Sequence, residues 1–129
     1  MEVRQLTEQP PFTTADGSTI RSILDLSNAP VQRQSLAEAS LPAGGATERH
    51  YHRDSEEIYF VLEGSGEMEI DGERRRLGPG DAVLIPPGAW HQIRADDTAG
   101  GGGADGAGGA LRFLCCCAPP YRHEDTFFE

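Results

Sequence analysis

The sequence contains no lysine, and all eleven of its basic residues are arginine. A chain without lysine cannot form a Schiff base through a lysine amine, and it cannot supply the lysine of a phosphate-binding P-loop. Acidic residues outnumber basic ones by 21 to 11, which gives a net charge of −10. Because such a surface repels nucleic-acid phosphates and anionic lipids, we expect neither a nucleic acid nor a membrane as a partner.

Long apolar runs are also missing, and the longest purely aliphatic stretch covers only residues 83–85. The N-terminal residues do not have the pattern of a secretory signal, so we expect a protein that is not exported. The chain has three cysteines, and they are consecutive: Cys115, Cys116 and Cys117. This spacing suits neither a disulfide framework nor a zinc knuckle, which favours a reducing, cytoplasmic compartment. We expect these thiols to be packed inside, with a reactive or metal-binding thiol as the alternative.

The length of 129 residues, with 37% apolar content, favours one domain that covers residues 1–129. No window sustains an amphipathic helix of three turns. Short alternating segments separated by turn residues indicate an all-β sandwich or barrel. The pair Asp71-Gly72 predicts a two-residue hairpin. The predicted strands cover residues 21–26, 34–41, 49–52, 57–63, 66–70, 73–77, 82–85, 90–94 and 111–117.

Two segments fall outside this strand pattern. Residues 99–110 are almost entirely glycine and alanine, a composition that cannot build a core, so they predict a mobile loop. Residues 118–129 form a C-terminal tail that begins next to a proline pair and contains His123. The tail either docks on a neighbouring strand or subunit through Phe127 and Phe128 or covers the mouth of a cavity.

Three of the four histidines can converge on one place. His50 and His52 are two residues apart in a predicted strand, so their side chains project from the same face. Glu56 and Glu57 begin the next strand, and His91 follows the turn "PPGAW". Taken alone, two histidines on an exposed strand are more often a solvated polar pair than a metal site. With a carboxylate and a third histidine nearby, a metal site becomes the stronger interpretation.

At these residues the sequence resembles the cupin superfamily. Its first motif is met by Gly44, His50, His52, Glu57 and Gly64, and its second motif by Gly80, Pro86, Gly88 and His91. Only the last position of the second motif differs from the family pattern, because this chain has Ala95 where the family often has asparagine. That asparagine is generally not a metal ligand, so the departure concerns local packing. The fifteen residues between Gly64 and Gly80 are typical of small bacterial members.

The resemblance implies a cupin-type double-stranded β-helix, or jelly-roll barrel, with its core motifs in residues 44–95. It also implies that Glu57, which leaves six residues before Gly64, is the ligand and that Glu56 is a bystander. The alternation of side chains along this strand agrees, since Glu57 shares its face with Tyr59. We interpret Tyr59 either as a substrate contact or as a core tyrosine whose hydroxyl is satisfied within the protein. The implied site binds one divalent transition metal ion, namely Mn, Fe, Co, Ni, Cu or Zn, and leaves two octahedral positions open. Its implied ligands are His50, His52, Glu57 and His91.

The resemblance implies a metal-dependent enzyme acting on a small organic molecule, and we favour oxygenase chemistry of the dioxygenase type. A metal-dependent isomerase or lyase is one alternative, and a non-catalytic binding or sensing protein is another. No catalytic side chain can be assigned from the sequence. Small members of the family form dimers through exchanged N-terminal strands, so we expect a homodimer, with residues 21–26 as a plausible donor strand.

Overall fold

The computed structural model describes residues 1–97 and 111–129, and within them the regular structure is almost entirely β. Short 3-10 turns cover Leu6–Glu8 and His123–Asp125. No helix in these two ranges is long and apolar enough to cross a membrane. Eleven strands follow one another along the described chain: β1 Phe12–Thr13, β2 Thr19–Leu24, β3 Ser35–Leu41, β4 His50–His52, β5 Glu56–Glu63, β6 Gly66–Ile70, β7 Glu73–Leu77, β8 Ala82–Ile85, β9 His91–Ala95, β10 Leu111–Ala118 and β11 Thr126–Phe128.

The strands form two sheets that pack on each other. The six-stranded sheet has the order β1-β2-β3-β10-β5-β8, and the five-stranded sheet has the order β11-β4-β9-β6-β7. All pairings are antiparallel, and chain neighbours are often separated in the sheets, as expected for a jelly roll. This confirms the predicted cupin-type double-stranded β-helix, although the two sheets remain separate and do not close into a continuous barrel.

The core lies between the sheets and is built from both. Val61 and Phe113 come from the six-stranded sheet and Met68 and Ile93 from the five-stranded one, and each is at most 2% exposed. Burying such side chains contributes about 1.5–3 kcal/mol each. Gly66 allows β6 to approach β9 closely, because a Cβ atom at this position would lie only 2.3 Å from the carbonyl oxygen of Arg94.

The predicted hairpin at Asp71-Gly72 is present between β6 and β7. Both residues have positive φ angles, 48° and 91°, as a type I′ turn requires. The nine predicted strands all occur, with bounds that differ by at most two residues. Two short strands were not predicted: β1, and β11 in the C-terminal tail. The predicted Gly-rich loop at 99–110 lies outside the described residues.

The strand β5 has an unusual outward face. Its inward residues include Glu57 and Tyr59, which are buried, whereas its outward residues Ile58, Phe60 and Leu62 are 41%, 40% and 37% exposed. A strand that is covered on one side normally turns polar residues to solvent. In this strand the outward face is the apolar one.

Candidate metal centre

Two neighbouring strands place three histidines together. His50 on β4 lies directly opposite His91 on β9, and His52 lies on the same face of β4. The turn before β9 is tied to β4, because the backbone N–H of Gly88 donates a hydrogen bond of 2.6 Å to the carbonyl oxygen of His52. Gly88 has a φ angle of 80°, which favours glycine in this turn.

The three imidazoles are buried and close to one another. The ring centroids of His50 and His91 are 4.2 Å apart, and those of His52 and His91 are 5.4 Å apart. Each ring is at most 5% exposed. One potential ligand atom from each of the three lies within 4.8 Å of the others, which is close enough for one ion to bind all three.

Hydrogen bonds on the outer side of each ring orient the histidines. The Nδ1 of His50 is 2.7 Å from the carbonyl oxygen of Glu48, and that of His91 is 3.0 Å from the carbonyl oxygen of Ala89. The Nδ1 of His52 has a longer contact of 3.4 Å with the hydroxyl of Thr126. A carbonyl oxygen can only accept, so it fixes the proton on Nδ1 and leaves the Nε2 lone pair free for a ligand bond.

The carboxylate of Glu57 faces this cluster from the other sheet. Its Oε1 is 3.2 Å from Nε2 of His52 and 3.6 Å from Nε2 of His91. Its Oε2 accepts a hydrogen bond of 3.1 Å from the thiol of Cys117. Glu56 points outward and is exposed. The structure thus places Glu57, and not Glu56, beside the three histidines.

The chemistry of these donors fits a cation. Glu57 Oε1 and His91 Nε2 are buried, and neither has a hydrogen bond of acceptable geometry within the described residues. The 3.2 Å contact between Oε1 and His52 Nε2 is a hydrogen bond only when His52 is protonated, because a neutral His52 that donates through Nδ1 has only a lone pair at Nε2. Acceptors that face one another in a buried site are costly unless a proton or a metal ion lies between them.

Burial and charge shift the pKa values of the groups at this site in different directions. In metal-free protein, burial raises the pKa of Glu57, but the protonated forms of His52 and His91 lower it through hydrogen bonds and positive charge, and the net pKa lies well below its usual range. Burial lowers the pKa of His52, but the hydrogen bond and the charge of Glu57 outweigh it, and the net shift is upward. Burial raises the pKa of the Cys117 thiol, so this group keeps its proton and can donate it to Glu57.

The pH dependence of stability in metal-free protein should report on His50. Burial, together with the positive charge of His91, lowers the pKa of His50 from 6.5 to about 4. Below pH 6.5 the unfolded chain takes up a proton that the folded chain does not, so the free energy of unfolding should fall as the pH drops from 6.5 to about 4. The loss should reach about 3 kcal/mol.

Urea unfolding in the presence of a chelator, over this pH range, measures the effect. The raised pKa of His52 contributes no slope here, because its stabilisation is complete below pH 6.5 and is lost only at higher pH. The His50→Gln variant should show a shallower dependence. An unchanged slope in this variant would contradict the assignment to His50.

A cavity of about 440 Å³ opens beside the cluster and reaches His50, His52 and Glu57. Small side chains on β2 and β3 explain why this space is not filled: Ser22, Ser35, Ala37 and Ala39 face it. Tyr59 also lines the cavity and is buried, with 3% of its surface exposed. Burial raises its pKa well above the ordinary value, so it is a neutral phenol that can donate a hydrogen bond.

The C-terminal tail docks on the strand that carries the two histidines. The strand β11 pairs with β4, with Thr126 opposite His52 and Phe128 opposite His50. Residues of the tail also line the cavity, including Tyr121 and His123. His123 does not join the three clustered histidines. The tail therefore supports the metal-facing strand and also forms part of the cavity wall.

The hydrogen bond from Cys117 to Glu57 was not predicted from the sequence. We expected the three thiols to be packed inside, and Cys117 is buried while Cys115 and Cys116 are partly buried, all three as free thiols. The hydrogen bond to Glu57 depends on the register of β10 against β5, in which Cys117 lies directly opposite Glu57. No spacing within the sequence reports this register, because the two strands are far apart in the chain.

The fold and this cluster together define a cupin, and sequence comparison agrees. Residues 37–100 match the family model of the cupin domain. An uncharacterised protein of Methanocaldococcus jannaschii is 43% identical over 116 residues, which cover 90% of this chain and 85% of that protein. The chain therefore belongs to the cupin family.

Relatives with a named activity are more distant or are matched over shorter regions. The quercetin 2,3-dioxygenase of Bacillus subtilis is 36% identical over 55 residues, which cover 43% of this chain and only 16% of that enzyme. The solved structure of the polyketide cyclase RemF from Streptomyces resistomycificus is 25% identical, with a TM-score of 0.72. That match covers 97% of this chain and 89% of RemF.

Proposed function

We propose that this chain is a metal-dependent enzyme that acts on a small organic molecule bound in the cavity beside His50, His52, Glu57 and His91. The observation that supports the proposal most strongly is the set of buried acceptor atoms at one end of this cavity. Backbone carbonyl oxygens orient His50 and His91 through their Nδ1 atoms, His52 contacts the hydroxyl of Thr126, and a carboxylate oxygen without a hydrogen-bond partner faces the three rings.

Three neutral imidazoles and one carboxylate form a donor set for a divalent transition ion such as Mn, Fe, Co, Ni, Cu or Zn. An ion bound by this set would supply Lewis acidity and open coordination positions for substrate. The four residues come from β4, β5 and β9, so both sheets must pack correctly for the set to assemble.

The cavity walls indicate the class of substrate. Most of the surface is apolar, and the charged residues that line it are Asp16, Asp25, Glu57, Arg122 and Glu124, with one arginine among them. A substrate with several negative charges would find few partners here, so we propose an uncharged or weakly acidic organic molecule. The phenol of Tyr59 is placed to donate a hydrogen bond to an oxygen of that molecule.

For the reaction we favour oxygenase chemistry, and the local likeness to quercetin 2,3-dioxygenase supports it. A second candidate is a reaction without dioxygen, as in an isomerase or lyase, in which an ion held by His50, His52, Glu57 and His91 would supply Lewis acidity. The likeness to a polyketide cyclase, which extends over most of both chains, favours this second class. The two classes differ in whether dioxygen is consumed.

The test uses untagged protein loaded with each of the six metals and incubated with catechols, diketones and thiol acids. Oxygen consumption with a new product supports an oxygenase, and a new product without oxygen consumption supports the second candidate. Ligand binding without turnover in every metal form would contradict the enzyme and favour a binding or sensing protein. Chelator-treated protein is the matched control.

We also propose that the chain forms a homodimer in the cytoplasm, and the outward face of β5 offers a second interface besides an exchanged N-terminal strand. Ile58 pairs with Leu84 across β5 and β8, and Leu84 is 56% exposed, so these residues and Phe60 form one continuous apolar surface. A second copy of this face would remove it from water. The predicted donor strand, residues 21–26, overlaps β2, and in this structure β2 pairs with β1 and β3 of the same chain.

A charge placed in this surface should separate the two copies. We expect Phe60→Glu to shift the mass measured by light scattering from dimer to monomer, because a buried unpaired carboxylate opposes association. Val3→Glu, at an exposed residue near the N-terminus, is the control and should remain dimeric. A Phe60→Glu dimer would argue against this face and for the exchanged strand.

A further inference from the structure

The thiol of Cys117 lies where it can set the orientation of Glu57. The two residues are direct partners across β10 and β5, and the sulfur is 3.1 Å from Oε2 of the carboxylate. Both side chains are buried, with Cys117 at 3% and Glu57 at 4% exposure. Oε2 therefore has a hydrogen-bond donor, whereas the other oxygen, Oε1, has none among the described residues and faces the histidines.

The two oxygens of Glu57 therefore differ in their ability to bind a metal ion. A carboxylate can bind an ion through one oxygen or through both. An oxygen that already accepts a hydrogen bond is less available as a second ligand atom, and its orientation is fixed by the donor. A carboxylate that binds through both oxygens would occupy one of the coordination positions that a substrate needs.

We propose that Cys117 is a positioning residue that holds Oε2 of Glu57, so that the carboxylate presents only Oε1 to the metal and leaves positions open for substrate. This role rests on the metal site proposed above. It differs from simple packing, because it depends on the S–H donor and on the one cysteine that faces Glu57.

The neighbouring cysteines provide matched controls. Cys115 lies on the same face of β10 but opposite Tyr59, and Cys116 lies on the opposite face, opposite Ile58. All three are free thiols in consecutive positions. A substitution at Cys115 or Cys116 changes the strand by the same number of atoms and leaves the hydrogen bond to Glu57 in place.

The hydrogen bond can be measured without any metal. In the Cys115→Ala/Cys116→Ala variant the only remaining thiol is Cys117, so the infrared S–H stretching band reports on it alone. We expect this band at a lower frequency than that of a free thiol, and we expect Glu57→Gln in the same background to shift it upward, because a neutral amide is a weaker acceptor. A band that does not respond to Glu57→Gln would overturn the proposal.

Metal binding then tests the positioning role. We expect Cys117→Ala to bind Mn²⁺ or Zn²⁺ about 10- to 100-fold more weakly than wild type, as is typical when a hydrogen bond to a ligand is lost. Cys117→Ser, which keeps a donor, should recover most of the affinity, and Cys115→Ala should match wild type. Infrared spectra of the metal-loaded protein also report how Glu57 binds, through the separation between its two carboxylate stretching bands. In Cys117→Ala we expect this separation to change toward the value for a carboxylate that binds the metal through both oxygens.

The outcomes separate the two proposals. A wild-type chain that binds no metal overturns the metal site and the positioning role together. Metal binding by wild type with equal affinity and equal carboxylate bands in Cys117→Ala overturns the positioning role alone. An equal loss of affinity in Cys115→Ala and Cys117→Ala would also overturn it, because that result indicates a packing effect of the strand.

Discussion

The His91→Ala variant is expected to bind divalent metal more than about 100-fold more weakly than the wild-type chain, since loss of a ligand should exceed the 10- to 100-fold cost of losing an outer partner. His91 is fully buried, and its Nε2 lies 3.6 Å from Oε1 of Glu57. Its Nδ1 is held by the carbonyl oxygen of Ala89, so the ring cannot turn away without losing a hydrogen bond. Isothermal titration calorimetry with Zn²⁺ or Mn²⁺ measures the change.

The fourth histidine supplies the control for this experiment. His123 lies in the tail, outside the cluster of three, so His123→Ala should bind metal as the wild type does. Thermal unfolding of both variants in chelator shows whether His91→Ala still folds, and His91→Gln repeats the test with less loss of volume. Unchanged affinity in a folded His91→Ala or His91→Gln would show that the ion, if bound, uses another set of ligands.

The Ala37→Trp variant should lose binding of the organic ligand but keep the metal. Ala37 lines the cavity from β3 and does not belong to the histidine cluster. An indole at this position would occupy space that the substrate needs, and we expect the affinity for a ligand such as catechol to fall more than about 10-fold. Titration of catechol into zinc-loaded protein measures this loss.

A tryptophan at an exposed position controls for the added bulk. Ala43 lies in an exposed loop between β3 and β4, so Ala43→Trp should leave both catechol and metal binding unchanged. If Ala37→Trp also lost the metal, the substitution would have disturbed the strands that carry the histidines. If it kept full catechol affinity, the ligand would bind outside this cavity.

Much of the architecture could be predicted from local features of the sequence. Turn residues such as Asp71 and Gly72 determine where a strand must end, and the nine predicted strands lie between such turns. The alternation of β5 placed Glu57 and Tyr59 on one face, and the structure has both on the inward face. Two further predictions came from the family resemblance. One was that Glu57, and not Glu56, is the ligand, and the other was that the strands form a double-stranded β-helix.

Features that depend on distant partners could not be predicted in the same way. The strand β11 has only three residues, and it is a strand because β4 is there to pair with it. The contact between Cys117 and Glu57 depends on a register between strands sixty residues apart in the chain. The outward apolar side chains of β5 reverse the usual pattern, so hydrophobicity alone would have turned Ile58 and Phe60 inward.

The most direct test of the metal site is the metal content of the untagged wild-type chain, followed by X-ray absorption of the loaded protein. After equilibration with a divalent ion and removal of the excess, we expect one ion per chain, with three imidazole nitrogens and carboxylate oxygen in its coordination shell. A chain that retains no stoichiometric ion, or an ion whose shell lacks imidazole scattering, would contradict a site formed by His50, His52, Glu57 and His91.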